Sequence, residues 1–334
     1  MWSRVHTWGE PVMATRKEVA DYANVSETTV SRVVNNNGYV SLDNREKVEN
    51  AIKVLGYSPN FIARSLKTKE TKQILFYATD LINPFYIEVY QGIEDYAVKH
   101  GYIIVVSGHF EKNMIRQRQF DGVIVSNILP DQQKEFLDLN IPIVATNYSG
   151  QHMKIPSVDI DVKGGAREVM NYLYQCGHRR IGFICARISF NERYTGYLSA
   201  LEEMGLPVAK SRIITSAKGK SNFEYGYNAA LNLIENGLDV TAIFSFNDAM
   251  AIGAMAAFSQ KGIRIPEDIS IIGFDDIIQS RYASPPLTTI QLPKFEQGME
   301  SVKLLIQEIK GEEVSNVSLN TKLIIRDTVS KIIS

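Results

Sequence analysis

The chain has 334 residues, 45% of them hydrophobic, and a formal net charge of −1. At about 100–200 residues per domain this length predicts two or three domains, and the absence of an 18-residue apolar run argues against a membrane span. Residues 1–13 lack the pattern of a signal peptide, so we treat them as an extension without regular structure and expect a cytoplasmic protein. Cys176 and Cys185 lack metal-ligand spacing and are expected to be free buried thiols.

Residues 14–58 predict a small all-helical domain. In the first helix, Arg16–Ala23, apolar residues recur on one face, and Asn24 ends it. Ser26 is a natural N-cap for a second helix, and this pairing is typical of a helix-turn-helix. The start of the second helix in such motifs faces base edges in the major groove of DNA. The candidate DNA contacts here are Thr15, Ser26, Glu27, Thr28, Thr29, Ser31, Arg32 and Asn35.

A third helix completes this domain, because Ser41 can cap it and Gly56 can end it. Residues 14–70 carry nine Lys and Arg against seven Asp and Glu, while residues 71–334 carry 26 against 29. The local excess of positive charge is small. Dimerisation and helix N-termini are therefore expected to supply part of the phosphate binding.

Beyond Thr71 short apolar strands alternate with amphipathic helices, as in parallel βα units. The predicted strands are 74–77, 102–106, 122–125, 141–145, 180–185, 242–246 and 269–274, with a helix over 86–100. The predicted fold is α/β: an all-α helix-turn-helix head followed by two doubly wound parallel-sheet subdomains. They would share residues 71–330, the N-subdomain taking about 71–159 and 290–318, and the C-subdomain about 160–289 and 319–330.

Ligands of open α/β sheets bind at the carboxyl ends of the strands, where this sequence places aromatic, amide, carboxylate and Arg side chains. That mixture suits a small polyhydroxylated ligand. Asp275 follows a buried strand without an obvious basic neighbour, and Arg193 lies near a helix start, where a cation is disfavoured unless an anion or ligand accompanies it. The Asn247-Asp248 pair also has a structural interpretation as a helix N-cap, a role that we assign to Asp248 ahead of ligand contact.

Several motifs resemble one known family. "VADYANVSETTVSRVVN" and "REKVENAIKVLGYSPNFIARSLK" near the start, and "NPFY", "ERYTGY", "FSFNDAMAIGAM" and "IIGFDD" later, are similar to the lactose/galactose-repressor (LacI/GalR) family of transcriptional regulators. The resemblance runs from Ala14 nearly to the C-terminus. It implies a homodimer on a pseudo-palindromic operator, and an effector-binding core resembling a periplasmic sugar-binding protein.

The resemblance also implies roles for particular residues. Residues 59–70 would be a hinge and linker, in which a helix forms on operator DNA and Leu66 is wedged between base steps in the minor groove. The hinge candidates are Asn60, Ala63, Arg64 and Leu66. The candidate effector-binding residues are Asn83, Phe85, Tyr86, Asn147, Asp159, Arg193, Phe246, Asn247 and Asp275. No cofactor and no metal are expected.

By this interpretation the protein is expected to be a repressor of carbohydrate-utilisation genes, controlled by a small sugar or sugar-derived effector. Between Ser107 and Asp121 only thirteen residues remain, fewer than the family usually has, so this βα unit is expected to be shortened. That shortening keeps a second interpretation open, in which a protein partner controls the regulator. A sugar-binding transport protein would have no DNA-binding head, and the sequence lacks the phosphate-loop, zinc-hydrolase, nucleophile-elbow and dinucleotide motifs of common enzymes. We therefore expect no enzymatic activity.

Overall fold

A computed structural model describes residues 14–58, 70–79, 81–110, 112–117, 119–126, 133–146, 154–185, 188–189, 191–215 and 222–332. The chain separates into two compact units, the first ending at Thr71 and the second beginning at Lys72. The extension over residues 1–13 and almost all of the predicted hinge, residues 59–69, lie outside the described residues.

The first unit contains three helices with the predicted bounds: α1 (Arg16–Ala23), α2 (Glu27–Val34) and α3 (Leu42–Leu55). Helix α1 ends at Asn24, whose φ of 53° is left-handed, a conformation that Asn tolerates better than most residues. One apolar side chain from each helix, Val19, Val30 and Val48, is fully buried. Burying an aliphatic side chain stabilises by about 1.5–3 kcal/mol, so this small core holds the three helices together.

The second unit contains parallel sheets, as predicted. Its strands are β1 (Gln73–Tyr77), β2 (Ile103–Ser107), β3 (Gly122–Ser126), β4 (Ile143–Thr146), β5 (Ser157–Ile160), β6 (Ile181–Cys185), β7 (Ile213–Thr215), β8 (Ala242–Ser245), β9 (Ser270–Ile272), β10 (Thr289–Gln291), β11 (Val317–Leu319) and β12 (Lys322–Ile324). Within the described residues, the first sheet has the order β11-β5-β4-β3-β1-β2 and the second the order β7-β6-β8-β9. All neighbours in both sheets are parallel, whereas β10 and β12 form an antiparallel pair.

The helices of the second unit follow its strands. They are α4 (Phe85–Lys99), α5 (Lys112–Arg116), α6 (Gln133–Leu137), α7 (Val162–Gln175), α8 (Glu192–Glu203), α9 (Phe223–Glu235), α10 (Asp248–Gln260), α11 (Ile278–Tyr282) and α12 (Lys294–Ile309), with a short 3₁₀ turn over Lys210–Arg212. A single apolar cluster includes buried side chains from both sheets, such as Phe76 on β1 and Phe183 on β6. The two sheets of this unit therefore share a core.

Every strand predicted from the sequence is present, with ends displaced by no more than two residues. The prediction missed β5, β7, β10, β11 and β12, which are three or four residues long. Strands this short have no clear alternation of apolar and polar residues, and their pairing partners are remote in the sequence. Strand β11, for example, pairs with β5 through Val317 opposite Val158, which returns the chain to the first sheet after α12.

Two helix pairs pack with their backbones unusually close. A Cβ atom on Gly92 of α4 would lie 2.0 Å from the carbonyl oxygen of Phe295, and one on Gly298 of α12 would lie 2.0 Å from that of Val89. Gly226 and Gly253 make the equivalent reciprocal contact between α9 and α10. Any larger residue would clash with the backbone of the partner helix, so these close contacts require glycine at all four positions.

The βα unit after β2 is shortened, as predicted, because its helix α5 has only five residues. Strand β2 is the edge strand of the first sheet, and it leaves Ile103 and Val106 59% and 40% exposed. Both cysteines are buried free thiols. Among the described residues, the helices are all too short or too polar to cross a membrane, and no group of His, Cys, Asp and Glu is suited to a metal ion.

Candidate DNA-binding helix and effector site

Helix α2 is anchored by its cap and exposes the residues predicted to read DNA. The Ser26 hydroxyl accepts a hydrogen bond from the backbone N–H of Thr29 at 3.1 Å and lies 2.9 Å from the Thr29 hydroxyl. Val30 and Val33 face the core. Glu27, Thr28 and Arg32 are exposed on this helix, where their polar groups can meet base edges or phosphates.

The other predicted DNA contacts of this unit have structural roles as well. Thr15 forms a capping box with Glu18, its hydroxyl accepting from the Glu18 N–H at 3.2 Å and its N–H donating to the Glu18 carboxylate at 2.6 Å. Asn35 ends α2, and its side-chain amide donates to the carbonyl and the hydroxyl of Ser31 at 2.7 and 3.2 Å. These side chains fix both ends of the helix pair and remain at the surface.

Arg193, Asp275 and two aromatic rings form the centre of the candidate effector site. Arg193 is the second residue of α8, and its Nη2 atom donates to Oδ1 of Asp275 at 3.0 Å. Its guanidinium carbon lies 4.5 Å from the ring centroid of Phe246 and 4.4 Å from that of Phe274. The predicted absence of a basic neighbour for Asp275 is therefore wrong, since Arg193 lies 82 residues away in the sequence but adjacent in space.

The Arg193–Asp275 pair is largely removed from solvent, with side chains 15% and 5% exposed. Burial raises the pKa of the Asp275 carboxyl to about 7, although the positive charge of Arg193 opposes this shift. The Nε–H of Arg193 is buried and has no hydrogen-bond partner among the described residues. A buried donor without a partner costs about 1–3 kcal/mol, and a ligand oxygen could remove that cost.

Asp275 and its neighbour Asp276 occupy a strained turn after β9. Their φ angles are 117° and 50°, which place both residues in a region that favours glycine. The carboxylate of Asp276 accepts from Nη2 of Arg326 at 2.5 Å and from Nε2 of Gln291 at 3.2 Å. The Nζ atom of Lys294 donates to the carbonyl oxygens of Asp275 and Asp276 at 2.5 and 3.0 Å. Hydrogen bonds from Arg326, Gln291 and Lys294 thus stabilise the turn.

The N-cap of α10 is Asn247, not Asp248 as expected. The Asn247 side-chain oxygen accepts from the N–H of Met250 at 2.9 Å. Asp248 is instead fully buried and accepts from the N–H of Ile277 at 2.9 Å and from the hydroxyls of Ser280 and Thr289 at 2.6 and 2.5 Å. Burial raises the pKa of Asp248. Asn and Asp are both strong N-cap formers, so the sequence could not show which of the two capped the helix.

Phe85 and Tyr86, which were predicted to line the effector site, lie at the start of α4. Phe85 and Tyr86 are buried, with ring centroids 5.1 Å apart in an edge-to-face arrangement, and both belong to the apolar cluster that contains Phe274. The side chain of Asn83 accepts from the N–H of Phe85 at 3.0 Å and so holds the start of this helix. Asn147 lies outside the described residues, as do the hinge candidates Asn60, Ala63, Arg64 and Leu66.

Asp159 lies at the end of β5 and accepts from the hydroxyl of Ser157 at 2.6 Å. Burial first, and the charge of Asp159 second, raise the pKa of Glu192, the residue before Arg193. Asp159 therefore acts electrostatically near the start of α8. The described structure thus brings Arg193, Phe246 and Asp275 into contact, with Asp159 close enough to the start of α8 to affect Glu192.

Phe274 and Lys294 belong to the site but were not predicted from the sequence. Phe274 precedes Asp275 in the "IIGFDD" motif, but its position at the end of a buried strand is typical of a core residue. Lys294 follows Pro293 at the start of α12, where a lysine is usually exposed. Its contacts with Asp275 and Asp276 are nineteen and eighteen residues away in the sequence, and no local pattern could have shown them.

Comparison with known proteins agrees with this architecture. Residues 15–60 match the model of the lacI family of bacterial regulatory proteins, and residues 170–329 match a periplasmic binding protein-like domain. The transcriptional repressor CytR of Escherichia coli (strain K12) is 36% identical over 328 residues, which cover 94% of this chain and 95% of that protein. The repressor PurR of Haemophilus influenzae (strain PittEE) is also 36% identical, over 96% of this chain and all of its own length.

Solved structures resemble the whole chain. The Lac repressor dimer bound to operator and the anti-inducer ONPF has a TM-score of 0.85 at 28% identity, over 95% of this chain and 99% of that chain. A complex of the transcriptional regulator CelR with cellobiose has a TM-score of 0.70 at 29% identity, over 94% and 99%. With relatives 36% identical over nearly its full length, the chain belongs to the lacI family of bacterial regulatory proteins and is a DNA-binding transcriptional regulator of that family.

Proposed function

We propose that this regulator is a repressor whose operator binding is controlled by a small carbohydrate held at Arg193 and Asp275. The observation that carries the proposal is their buried pair, flanked by the rings of Phe246 and Phe274 near the carboxyl ends of β8 and β9. Ligands of parallel α/β sheets bind at this end of the strands. A site that combines charged hydrogen-bonding groups with apolar walls suits a sugar.

The chemistry of the pair fits neighbouring hydroxyl groups. An ionised Asp275 can accept from two hydroxyls, while Arg193 can donate from its remaining N–H groups, including the unpartnered Nε. Because both side chains are removed from water, such hydrogen bonds are stronger than the same bonds at the surface. The CelR relative is known in complex with cellobiose, which supports a carbohydrate of this kind for the present chain.

On the DNA side, we propose that Glu27, Thr28 and Arg32 read base edges and that residues 59–70 act as the hinge, with Leu66 inserted between base steps. The protein would act in the cytoplasm as a homodimer on a pseudo-palindromic operator. The similar structure of a Lac repressor dimer bound to operator supports this proposal. Exposed apolar residues support an interface between the subunits of this dimer: Ile278 and Tyr282 on α11 are 52% and 81% exposed. Exposed side chains of this kind are favoured in protein interfaces.

In the proposed mechanism the effector changes the arrangement of the two subdomains, and this determines whether residues 59–67 of both subunits pair on DNA. Operator and effector must then affect each other's affinity by the same factor, commonly about 5–150-fold. We propose release of the operator by the effector, so that the sugar acts as an inducer.

The direct test is fluorescence anisotropy of purified protein on an operator selected from random duplexes, with and without a panel of mono- and disaccharides. The proposal predicts specific binding that one member of the panel weakens at least fivefold, while binding to a non-specific duplex is unchanged. Tight operator binding that no sugar alters would overturn the carbohydrate proposal and leave the DNA-binding function intact.

One observation favours a second candidate for control, a protein partner. The helix after β2 has five residues, and the edge strand beside it exposes apolar side chains. A regulator controlled by a partner would keep its response after substitution of Asp275, whereas a sugar-controlled regulator would lose it. Asp275→Asn therefore distinguishes the two.

A further inference from the structure

Lys294 is a buried lysine at an electrostatically unfavourable position. It is the first residue of α12, where the helix dipole repels a cation, and its side chain is only 2% exposed. A buried charge is costly unless hydrogen bonds and opposite charge compensate it. An apolar side chain of similar length would fill the same space without that cost, so the charge itself requires an explanation.

The ammonium group of Lys294 donates two hydrogen bonds and forms one ion pair. Its Nζ atom lies 2.5 Å from the carbonyl oxygen of Asp275, 3.0 Å from that of Asp276 and 3.2 Å from Oε1 of Glu88. The two carbonyls converge because both residues have positive φ. The ammonium therefore stabilises a turn that is strained on its own, and this turn directs the carboxylate of Asp275 toward Arg193.

These contacts join elements that belong to the two different sheets. Glu88 lies on α4 and Lys294 on α12, and this helix pair packs against the first sheet with the close backbone approach at Gly92 and Gly298. Asp275 follows β9 of the second sheet. The Glu88–Lys294 pair is thus carried by helices that pack on the first sheet, while the carbonyls that Lys294 holds follow a strand of the second sheet.

We propose that Lys294, fixed by Glu88, is a positioning residue of the effector site. It holds the Asp275-Asp276 turn so that Asp275 faces Arg193, and it couples displacement of that turn to the helices that pack on the first sheet. This inference rests on the proposed function, because it assigns a role in the effector site. Displacement of the turn by a ligand would alter the contact with Lys294 and, through Glu88, helix α4.

The test compares full-length protein carrying Lys294→Met, Glu88→Gln or both changes by hydrogen–deuterium exchange of the peptide 273–280. Methionine keeps the unbranched side chain without the charge. Because Glu88 is 42% exposed, Glu88→Gln should fold even if Lys294→Met does not. The matched control is the exposed pair on the same helix, Lys303→Met and Glu300→Gln, whose charged atoms lie 3.0 Å apart.

We expect Lys294→Met to accelerate exchange of this peptide on the order of tenfold, since charge-assisted hydrogen bonds are lost. Glu88→Gln should accelerate it less, and should add nothing once Lys294 is replaced. The control variants should leave it unchanged. Equal exchange in all variants, or additive effects of the two changes, would overturn the proposal.

A spectroscopic measurement separates positioning from simple packing. The charge of Lys294 lowers the pKa of Asp275, so ¹³C NMR of labelled aspartate should show the Asp275 carboxyl titrating at higher pH in Lys294→Met and unchanged in Lys303→Met. An unchanged titration would contradict the assignment. Both measurements use protein without DNA or sugar, so a failed carbohydrate proposal and a failed Lys294 proposal give different results.

Discussion

Arg193 donates a hydrogen bond of 3.0 Å to Asp275, and this contact joins the start of α8 to the turn after β9. The guanidinium lies against Phe246 and Phe274, so neither its position nor that of the carboxylate can change without disturbing the other. Cation–π contacts contribute about 2 kcal/mol or more when they are desolvated, which stabilises the position of the guanidinium. A preorganised pair of this kind lowers the cost of ordering when a ligand binds.

Arg193→Ala should abolish the effector response and leave operator binding within a few-fold of the wild type. The substitution removes the ligand donors, whereas the DNA-reading residues belong to the other compact unit. Anisotropy titrations with the effector test this, with Arg167→Ala as the control, an exposed arginine that pairs with Glu203 at 2.8 Å. Undiminished induction in Arg193→Ala would refute the site assignment.

The pH dependence of stability should report Asp275. Its folded pKa of about 7 exceeds the ordinary aspartate value, so the folded protein binds more protons than the unfolded chain between about pH 4 and 7. The contribution of this group to the free energy of unfolding is present at low pH and is lost as the pH rises through 7. The loss is at most about 1.4 kcal/mol for each pH unit.

Urea denaturation at pH 5, 6, 7 and 8 measures this slope. Asp275→Asn should reduce it relative to the wild type, because asparagine does not ionise. Asp268→Asn is the control, since hydrogen bonds from Arg264 lower the pKa of that exposed aspartate to about 2, below the range tested. Parallel curves for all three proteins would show that Asp275 does not titrate as described.

Gly92→Ala should destabilise the second unit by about 1–3 kcal/mol or more, because the new methyl group would overlap the Phe295 carbonyl oxygen. Urea denaturation of the wild-type and variant proteins measures the change, and the midpoint of Gly92→Ala should be lower than that of the wild type. Gly108→Ala is a suitable comparison, as its methyl would meet the Leu81 side chain at an ordinary 3.6 Å. If both variants unfold at the wild-type midpoint, the helix pair is less closely packed than described.

Two neighbouring residues of the DNA-binding unit should respond differently. Ser26→Ala removes the cap of α2 and should cost about 1 kcal/mol of stability, with weaker binding to all duplexes.

Glu27→Gln should leave stability nearly unchanged and alter discrimination at one base pair, since Glu27 is exposed and can accept from a cytosine amino group. Thermal melts and anisotropy on single-base operator variants measure both effects. Loss of stability in Glu27→Gln without altered discrimination would remove Glu27 from the DNA-reading set.

The sequence predicted those parts of the structure that local patterns determine. Helix α2 follows from Ser26 and the spacing of Val30 and Val33, and the long buried strands follow from their apolar runs. The partners of Asp275 could not be predicted, because Arg193 and Lys294 are 82 and 19 residues away in the sequence and contact it only in the folded structure. Asp248 was assigned to the wrong role for a related reason. The hydroxyls of Ser280 and Thr289, which donate to its carboxylate, are more than thirty residues away in the sequence.

The most direct measurement is a thermal-shift screen of the wild type and Asp275→Asn against mono- and disaccharides and sugar phosphates. A ligand at 100 times its dissociation constant should stabilise the wild type by about 2.7 kcal/mol. The account predicts that at least one sugar raises the melting temperature of the wild type and leaves that of Asp275→Asn unchanged. A panel without any shift, or the same shift in both proteins, would contradict a carbohydrate site at Arg193 and Asp275.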